Sequence, residues 1–184
     1  MVVPTDAPHI RRGTDTDAAA FAELSRQLGY PSTPAQVAAR FAALAARSDW
    51  VAYVAELDGQ IVGSIFVTSV LSLQRDPCAE IGGLVVDEHH RNHRVGEALV
   101  AAAEAWARQQ GYSAMIVHSN VIRTDAHRFY IRVTEMLLLA QDSKPCMAWP
   151  IAPRIASEIC SRASEDAPGV QTMSSAPSAT FFSG

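Results

Sequence analysis

The residue types that could do chemistry are concentrated in one stretch, from Ala79 to Gly111, which reads AEIGGLVVDEHHRNHRVGEALVAAAEAWARQQG. Its pattern is that of a buried strand, a short basic loop and a long amphipathic helix. Backbone N–H groups at a helix start have no partner within the helix, and they bind anions such as phosphate. The stretch therefore predicts a site for a phosphate-bearing ligand, with Arg91, Arg94 and Gly96 at its centre.

The composition is that of an ordinary globular protein whose overall charge favours no particular partner. The 184 residues are 48% hydrophobic and 18% charged, and the formal net charge is -4. A negative chain does not attract nucleic acid or an anionic membrane. No apolar run reaches the roughly 20 residues of a membrane span, and the N-terminus lacks the layout of a signal peptide. We expect a cytoplasmic protein that binds neither nucleic acid nor membrane.

The cysteines and histidines do not have the spacing of a disulfide framework or a metal site. The cysteines are far apart and form no CxxC pair: Cys78, Cys146 and Cys160. Histidines cluster in the basic loop, at His89, His90 and His93. The Cys or carboxylate spacing that would support them as metal ligands is absent. We therefore predict reduced thiols and no metal.

Hydrophobic periodicity and turn residues predict an alternating series of strands and helices. The predicted strands are His9–Arg12, Trp50–Leu57, Ile61–Leu73, Ile81–Val86, Met115–Ser119, Met136–Ala140 and Cys146–Ile151. The predicted helices run from Asp15 or Thr16 to Leu28, from Pro34 past Leu44, from Val95 to Gln110 and from Thr124 to Val133. Asp58-Gly59 is a hairpin signal, and Gly63 is a candidate bulge.

The element order β-α-α-β-β-β-α-β-α-β-β predicts an α+β or mixed α/β fold rather than a doubly wound one. The sequence has neither the GxGxxG turn of a dinucleotide fold nor a P-loop. Residues 1–152 are predicted to form one domain. Residues 153–184 are rich in Ser, Ala and Pro, and they are predicted to be a disordered tail.

Residues 91–96, RNHRVG, resemble the signature of the GNAT superfamily of acetyl-coenzyme A-dependent N-acetyltransferases. That signature is Arg or Gln, two variable residues, Gly, one variable residue, and Gly or Ala, placed between a strand and a helix. Other segments resemble the family in the correct order: IRRGTDTDAAAFAELSRQLGYPST, VAYVAELDGQIVGSI, LVVDEHHR, EALVAAAEAWARQQG and RTDAHRFY. The resemblance covers roughly residues 9–133.

The resemblance implies a central mixed, mostly antiparallel sheet flanked by helices, with acetyl-coenzyme A as co-substrate. The strand residues that would run beside the pantetheine are Leu84, Val85 and Val86. The residues whose backbone and charges would hold the pyrophosphate are Arg91, Asn92, His93, Arg94, Val95, Gly96 and Glu97. The acceptor would be a primary amine of a small molecule or an amino-acid-like compound, and a protein N-terminus or lysine is an equal alternative. A homodimer is also possible by resemblance.

Two residues are candidates for proton transfer. By resemblance, Tyr130 would protonate the departing thiolate, because a phenol is protonated at neutral pH. The alternative is a Tyr that only packs beside Phe129. Glu80, at the start of the central strand, could act as the general base through a water molecule. Positions 80, 82, 84 and 86 would share one face by the strand period of two. The alternative for Glu80 is a solvent-exposed residue at a strand end.

The chain departs from the family pattern at two places. Arg94 stands where the signature has its first Gly. After Tyr130 the family usually continues to a Gly-aromatic pair about four residues on, and the sequence IRVTEM has no Gly there. These departures keep a second interpretation open, namely a non-catalytic acyl-coenzyme A-binding or regulatory module.

Overall fold

The computed structural model describes residues 7–91, 93–119, 124–134, 137–139 and 146–151. Seven strands are defined within them: β1 His9–Arg12, β2 Trp50–Leu57, β3 Gln60–Val70, β4 Cys78–Val86, β5 Ala114–His118, β6 Leu137–Leu139 and β7 Cys146–Pro150. The α-helices are α1 Ala18–Leu28, α2 Pro34–Leu44, α3 Val95–Gln109 and α4 Thr124–Val133. The predicted element order is confirmed.

The strands form one sheet in the order β1-β2-β3-β4-β5-β7-β6. Every neighbouring pair is antiparallel except β4 and β5, which are parallel because α3 crosses between them. The prediction of a mixed, mostly antiparallel sheet flanked by helices is therefore confirmed. The hairpin of β2 and β3 turns at Asp58 (φ 51°) and Gly59 (φ 76°), the left-handed pair that a two-residue turn requires.

Short-range signals define the ends of the first two helices. A 3-10 turn, Asp15–Asp17, precedes α1, and Gly29 ends that helix with φ 94°. The Thr33 side chain accepts a hydrogen bond from the backbone N–H of Gln36, and the Gln36 side-chain oxygen accepts one from the backbone N–H of Thr33. This capping box fixes the start of α2.

The helices cover the two faces of the sheet. On one face, α3 packs its buried residues, among them Leu99 and Trp106, against β2, β3 and β4 in the main core. On the other face, an aromatic row joins α1 and α2 to the sheet, with ring centroids 5.2 Å apart for Phe21–Phe41 and 6.0 Å apart for Phe41–Trp50. The sheet is thus held between α3 and the α1–α2 pair.

A bulge at Gly82 interrupts the pairing of β4 with β3. Phe66 pairs with Gly83 and Val67 with Ile81, so Gly82 is the extra residue. A Cβ at position 82 would lie 2.8 Å from the Phe66 ring, so any other residue there would force that ring to move. A second bulge lies in β3 at Val62, one residue before the predicted Gly63.

The bulge corrects one prediction about β4. Ala79 and Ile81 face the main core before the bulge, and Leu84 and Val86 face it afterwards. Glu80 therefore points to the opposite face from Leu84 and Val86, and the prediction that positions 80, 82, 84 and 86 share a face is wrong. One inserted residue reverses the alternation of all that follow.

Two predictions remain outside these observations. The predicted tail, residues 153–184, lies outside the described residues. The structure is of a single chain, so the dimer stays a prediction. Among the described residues, no helix is both long enough and apolar enough to span a bilayer.

Candidate functional site

The centre of the candidate site is the place where β4 and β5 separate. The two strands pair from Ala79–Met115 to Ile81–Val117, after which β5 ends at His118 while β4 continues to Val86. Residues 84–86 of β4 pair with β3 on one side only. Among the described residues, no strand takes up the backbone groups on their other side, and these groups are available to a ligand.

A groove of about 910 Å³ extends from this opening between α3 and α4. Predicted site residues that line it are Leu84, Val85, Val86, Arg91, Arg94, Val95, Gly96, Glu97 and Tyr130. Lining residues that the sequence did not indicate are Gln27, Leu28, His90, Asp125, Ala126, Arg128, Phe129 and Arg132. Of the remaining predictions, His93 and Glu80 are not in its lining, and Asn92 lies outside the described residues.

The first turn of α3 presents free N–H groups to the groove. Arg94 is the N-cap with φ 58° and ψ 12°, and its side chain does not cap the helix. The first intrahelical bond runs from the Ala98 N–H to the Arg94 carbonyl, 3.0 Å away. The N–H groups of residues 95–97 have no intrahelical partner, which makes this turn an anion site. The left-handed backbone at Arg94 costs about 1–2 kcal/mol.

The charges around the groove are mostly positive. Its arginines are Arg91, Arg94, Arg128 and Arg132, against the carboxylates of Glu97 and Asp125. Glu97 lies between two of the guanidinium groups, 3.0 Å from Arg94 Nε and 3.8 Å from Arg132 Nη2. The excess of guanidinium groups favours a ligand that carries several negative charges.

Arg128 and Arg132 were missed although a pattern was available. They are four residues apart on α4, so their side chains lie on one face of the helix. Asp125, which also lines the groove, is 3.9 Å from the Arg128 guanidinium. A helical-wheel analysis of TDAHRFYIRV would have placed all three on one stripe.

Tyr130 is a buried residue of the groove lining. Only 5% of it is exposed, and its ring lies 5.3 Å from that of Phe129 and 6.2 Å from that of Trp149. Burial raises the pKa of its phenol, because the charged form is disfavoured away from water. Thr134 donates from its Oγ1 and its N–H to the Tyr130 carbonyl, at 2.7 and 3.0 Å, and so ends α4 about where the family pattern has a Gly that this sequence lacks.

A glutamine of α1 fixes the turn that follows β4. Gln27 Nε2 donates to Asp87 Oδ2 at 2.9 Å, and Gln27 Oε1 accepts from the Glu88 N–H at 3.2 Å. Asp87 Oδ1 also accepts from His90 Nδ1 at 2.8 Å, which orients this groove-lining imidazole. Hydrogen bonds from Gln27 and His90 lower the pKa of Asp87 to about 2. No sequence pattern links residues that are 60 positions apart.

Glu80 makes a hydrogen bond on the opposite face of the sheet. His118 Nδ1 donates to Glu80 Oε1 at 2.8 Å, and both side chains are partly exposed. Glu80 lies one residue before, and His118 one residue after, the last parallel pair of Ile81 and Val117, so their side chains stand beside the opening. His118 was not among the predicted site residues. Within the described part of the chain, no three His, Cys, Asp or Glu side chains gather as a metal site would require.

Comparisons with known proteins agree with this geometry. The family model described as "Acetyltransferase (GNAT) family" matches residues 18–133. An aminoalkylphosphonate N-acetyltransferase of Salmonella typhimurium is 38% identical over 76 residues, which are 41% of this chain and 49% of that protein. The match thus spans about half of that relative. An aminoglycoside N(6')-acetyltransferase type 1 of Stenotrophomonas maltophilia is 31% identical over 125 residues, 66% of this chain and 81% of that protein.

A solved structure shares the fold. The PaiA N-acetyltransferase of Thermoplasma acidophilum, solved in complex with coenzyme A, aligns with a TM-score of 0.65 at 15% identity. The alignment covers 79% of this chain and 99% of that one. At this identity the likeness concerns the fold alone.

Proposed function

Because the chain belongs to the GNAT family of acetyltransferases, we propose that it transfers the acetyl group of acetyl-coenzyme A to the primary amine of a small molecule. The observation that carries this proposal is the opening between β4 and β5, whose groove is lined by the uncapped start of α3 and by the buried Tyr130. Both named relatives act, by their names, on amine-bearing small molecules.

The groove fits the donor in charge and in size. The pyrophosphate would be held by the N–H groups of the first turn of α3, with Arg91 and Arg94 supplying positive charge. A volume of about 910 Å³ is within the range of sites that hold a cofactor-sized molecule. The unpaired edge of β4 at Leu84–Val86 would hydrogen-bond the pantetheine, in the way that an exposed sheet edge binds an extended peptide.

Two groups of the chain would then act on the thioester. A backbone N–H of the unpaired β4 edge would hydrogen-bond the carbonyl oxygen, where negative charge develops during attack. Tyr130 would give its proton to the departing thiolate. Because burial raises the pKa of Tyr130, the phenol stays protonated throughout the neutral and mildly alkaline range. Such a proton donor contributes roughly 100-fold or more to a rate.

The acceptor would approach from the face that carries α1 and α2. Glu80 and His118 lie on this face beside the opening, where either could remove a proton from the amine. Acetyl-coenzyme A, in the groove beside α3, and the amine, on the α1–α2 face, would thus meet at the opening between β4 and β5. The amide product follows when nitrogen bonds the carbonyl carbon and the C–S bond breaks.

The proposal is tested by measuring binding and turnover separately. Calorimetry with acetyl-coenzyme A gives the affinity, and mass spectrometry detects N-acetylated products from a panel of aminoalkylphosphonates, aminoglycosides and simple diamines. We expect micromolar-range binding and acetylation of at least one class. Binding without acetylation of any amine would support a non-catalytic module, and absence of binding would contradict the assignment of the groove.

A further inference from the structure

The hydrogen bond between Glu80 and His118 stands at the fork of the two parallel strands. Glu80 pairs with Ile116, and His118 lies two residues further along β5 on the same face. Both side chains share this face with Cys78 and Ile116, away from α3. His118 is the last residue of β5, directly after the final parallel pair of Ile81 and Val117.

The hydrogen bond fixes which nitrogen of His118 can accept a proton. An ionised carboxylate can only accept, so Nδ1 carries the hydrogen that Glu80 Oε1 receives at 2.8 Å. The other nitrogen, Nε2, then has a free lone pair in the neutral ring. None of the described residues bonds it, and 42% of the His118 side chain is exposed.

We propose that His118 Nε2 is the general base of the reaction and that Glu80 is its positioning residue. This inference rests on the proposed function and assigns one step within it. In other enzymes, too, a carboxylate sets the tautomer and the orientation of a catalytic imidazole.

The proton balance of the step is complete. His118 Nε2 takes one proton from the ammonium form of the acceptor and passes it to solvent. The free amine attacks the thioester carbon, the C–N bond forms, and the C–S bond breaks with its electron pair on sulfur. Tyr130 protonates that sulfur and regains a proton, through solvent, from the nitrogen as it becomes an amide. The products are the N-acetyl compound and the free thiol.

The test compares turnover at saturating acetyl-coenzyme A for His118→Ala, Glu80→Ala and Glu80→Gln. We expect His118→Ala to lower kcat by about 100-fold or more, and added imidazole to restore part of it. Glu80→Gln keeps an oxygen that accepts from Nδ1, so it should retain more activity than Glu80→Ala. A glutamine cannot take a proton, so the two variants would be equally impaired if Glu80 itself were the base.

His9→Gln is the matched control, because His9 makes a similar bond to Glu56, at 3.3 Å, between β1 and β2 far from the opening. It should leave turnover unchanged. Acetyl-coenzyme A affinity measured for every variant separates a lost base from a lost fold, and His118→Gln replaces His118→Ala if the latter does not fold. The inference is overturned if the His118 variant keeps kcat within about threefold of the wild type, or if imidazole rescues nothing. Lack of turnover in the wild-type protein would instead count against the proposed function.

Discussion

Gly96, in the first turn of α3, lies directly against the ring of Phe129 on α4. A Cβ atom at position 96 would be 3.0 Å from two carbon atoms of that ring and 3.7 Å from Val86 Cγ2. The missing side chain therefore lets α4 approach the start of α3, and the ring borders the groove there. The φ of Gly96 lies outside the left-handed region, so its backbone conformation does not require glycine. The close approach of the Phe129 ring is what requires it.

We predict that Gly96→Ala weakens acetyl-coenzyme A binding by roughly fivefold, about 1 kcal/mol, because the added methyl group pushes the Phe129 ring into the groove. The better helix propensity of Ala offsets the crowding, so the free energy of unfolding should change by less than about 1 kcal/mol. Calorimetry measures the affinity. In a Phe129→Leu background the same substitution should have little further effect on binding, and an undiminished effect there would contradict the contact as the cause.

The left-handed backbone at Arg94 predicts an unusual order of stability. Arg94→Gly should be more stable than Arg94→Ala by about 1 kcal/mol, because only glycine adopts φ 58° without strain. Both variants lack the exposed ion pair of Arg94 with Glu97, so this pair does not enter the comparison. Denaturant unfolding gives the difference. Ala98→Gly, inside the same helix, is the control and should be destabilising; Arg94→Gly and Arg94→Ala of equal stability would refute the strain.

Tyr130→Phe should lower kcat at least about tenfold while leaving acetyl-coenzyme A affinity within about twofold. The phenylalanine keeps the ring contacts with Phe129 and Trp149 and loses only the hydroxyl group that carries the proton. Tyr112→Phe is the matched control, because Tyr112 does not line the groove. Its ring packs against Trp106 of α3, with ring centroids 6.0 Å apart. Wild-type turnover in Tyr130→Phe would show that water or another group protonates the thiolate.

Asp17 should account for part of the stability that the protein loses at low pH. Hydrogen bonds from Arg11, both 2.8 Å long, lower the pKa of Asp17 from 3.8 to about 2. A carboxyl group whose pKa is lower in the folded state stabilises the protein at pH values above its pKa in the unfolded chain. This stabilisation is lost as the pH falls from 3.8 through about 2. We expect Asp17→Asn to cost about 2 kcal/mol at pH 7 and much less near pH 2.

Urea unfolding of the wild type and Asp17→Asn at pH 7, 4 and 2.5 measures this effect. Asp15→Asn, which alters an exposed carboxylate of the same turn, is the control and should follow the wild type at each pH. A constant difference between the wild type and Asp17→Asn over the whole range would contradict the assignment.

Much of the fold could be predicted because its signals are local. The strand Trp50–Leu57 and the helix Thr124–Val133 have the predicted bounds, since alternation and helical spacing are written within each segment. The Asp58-Gly59 turn and the Gly29 helix end rest on left-handed residues that the sequence displays directly.

The face on which Glu80 lies could not be predicted by alternation, because a bulge depends on how two strands pair. The adjacent glycines Gly82 and Gly83 were the available sign, since glycine inside a strand often marks a bulge. The bond of Glu80 to His118 joins residues 38 positions apart, and the link of Gln27 to Asp87 spans 60. Such contacts follow from the topology, which short sequence patterns do not contain.

The central claim, that the groove between α3 and α4 holds the phosphates of acetyl-coenzyme A, is tested most directly by calorimetric titration of the wild type and Arg91→Glu at low salt. Arg91 is exposed and lines the groove, so reversing its charge should not disturb the fold. Arg12→Glu, at an exposed position on the edge strand β1, is the matched control. We predict that Arg91→Glu binds about tenfold or more weakly, that the loss shrinks as salt is raised, and that Arg12→Glu binds as the wild type does. Equal affinities for Arg91→Glu and the wild type would contradict the account.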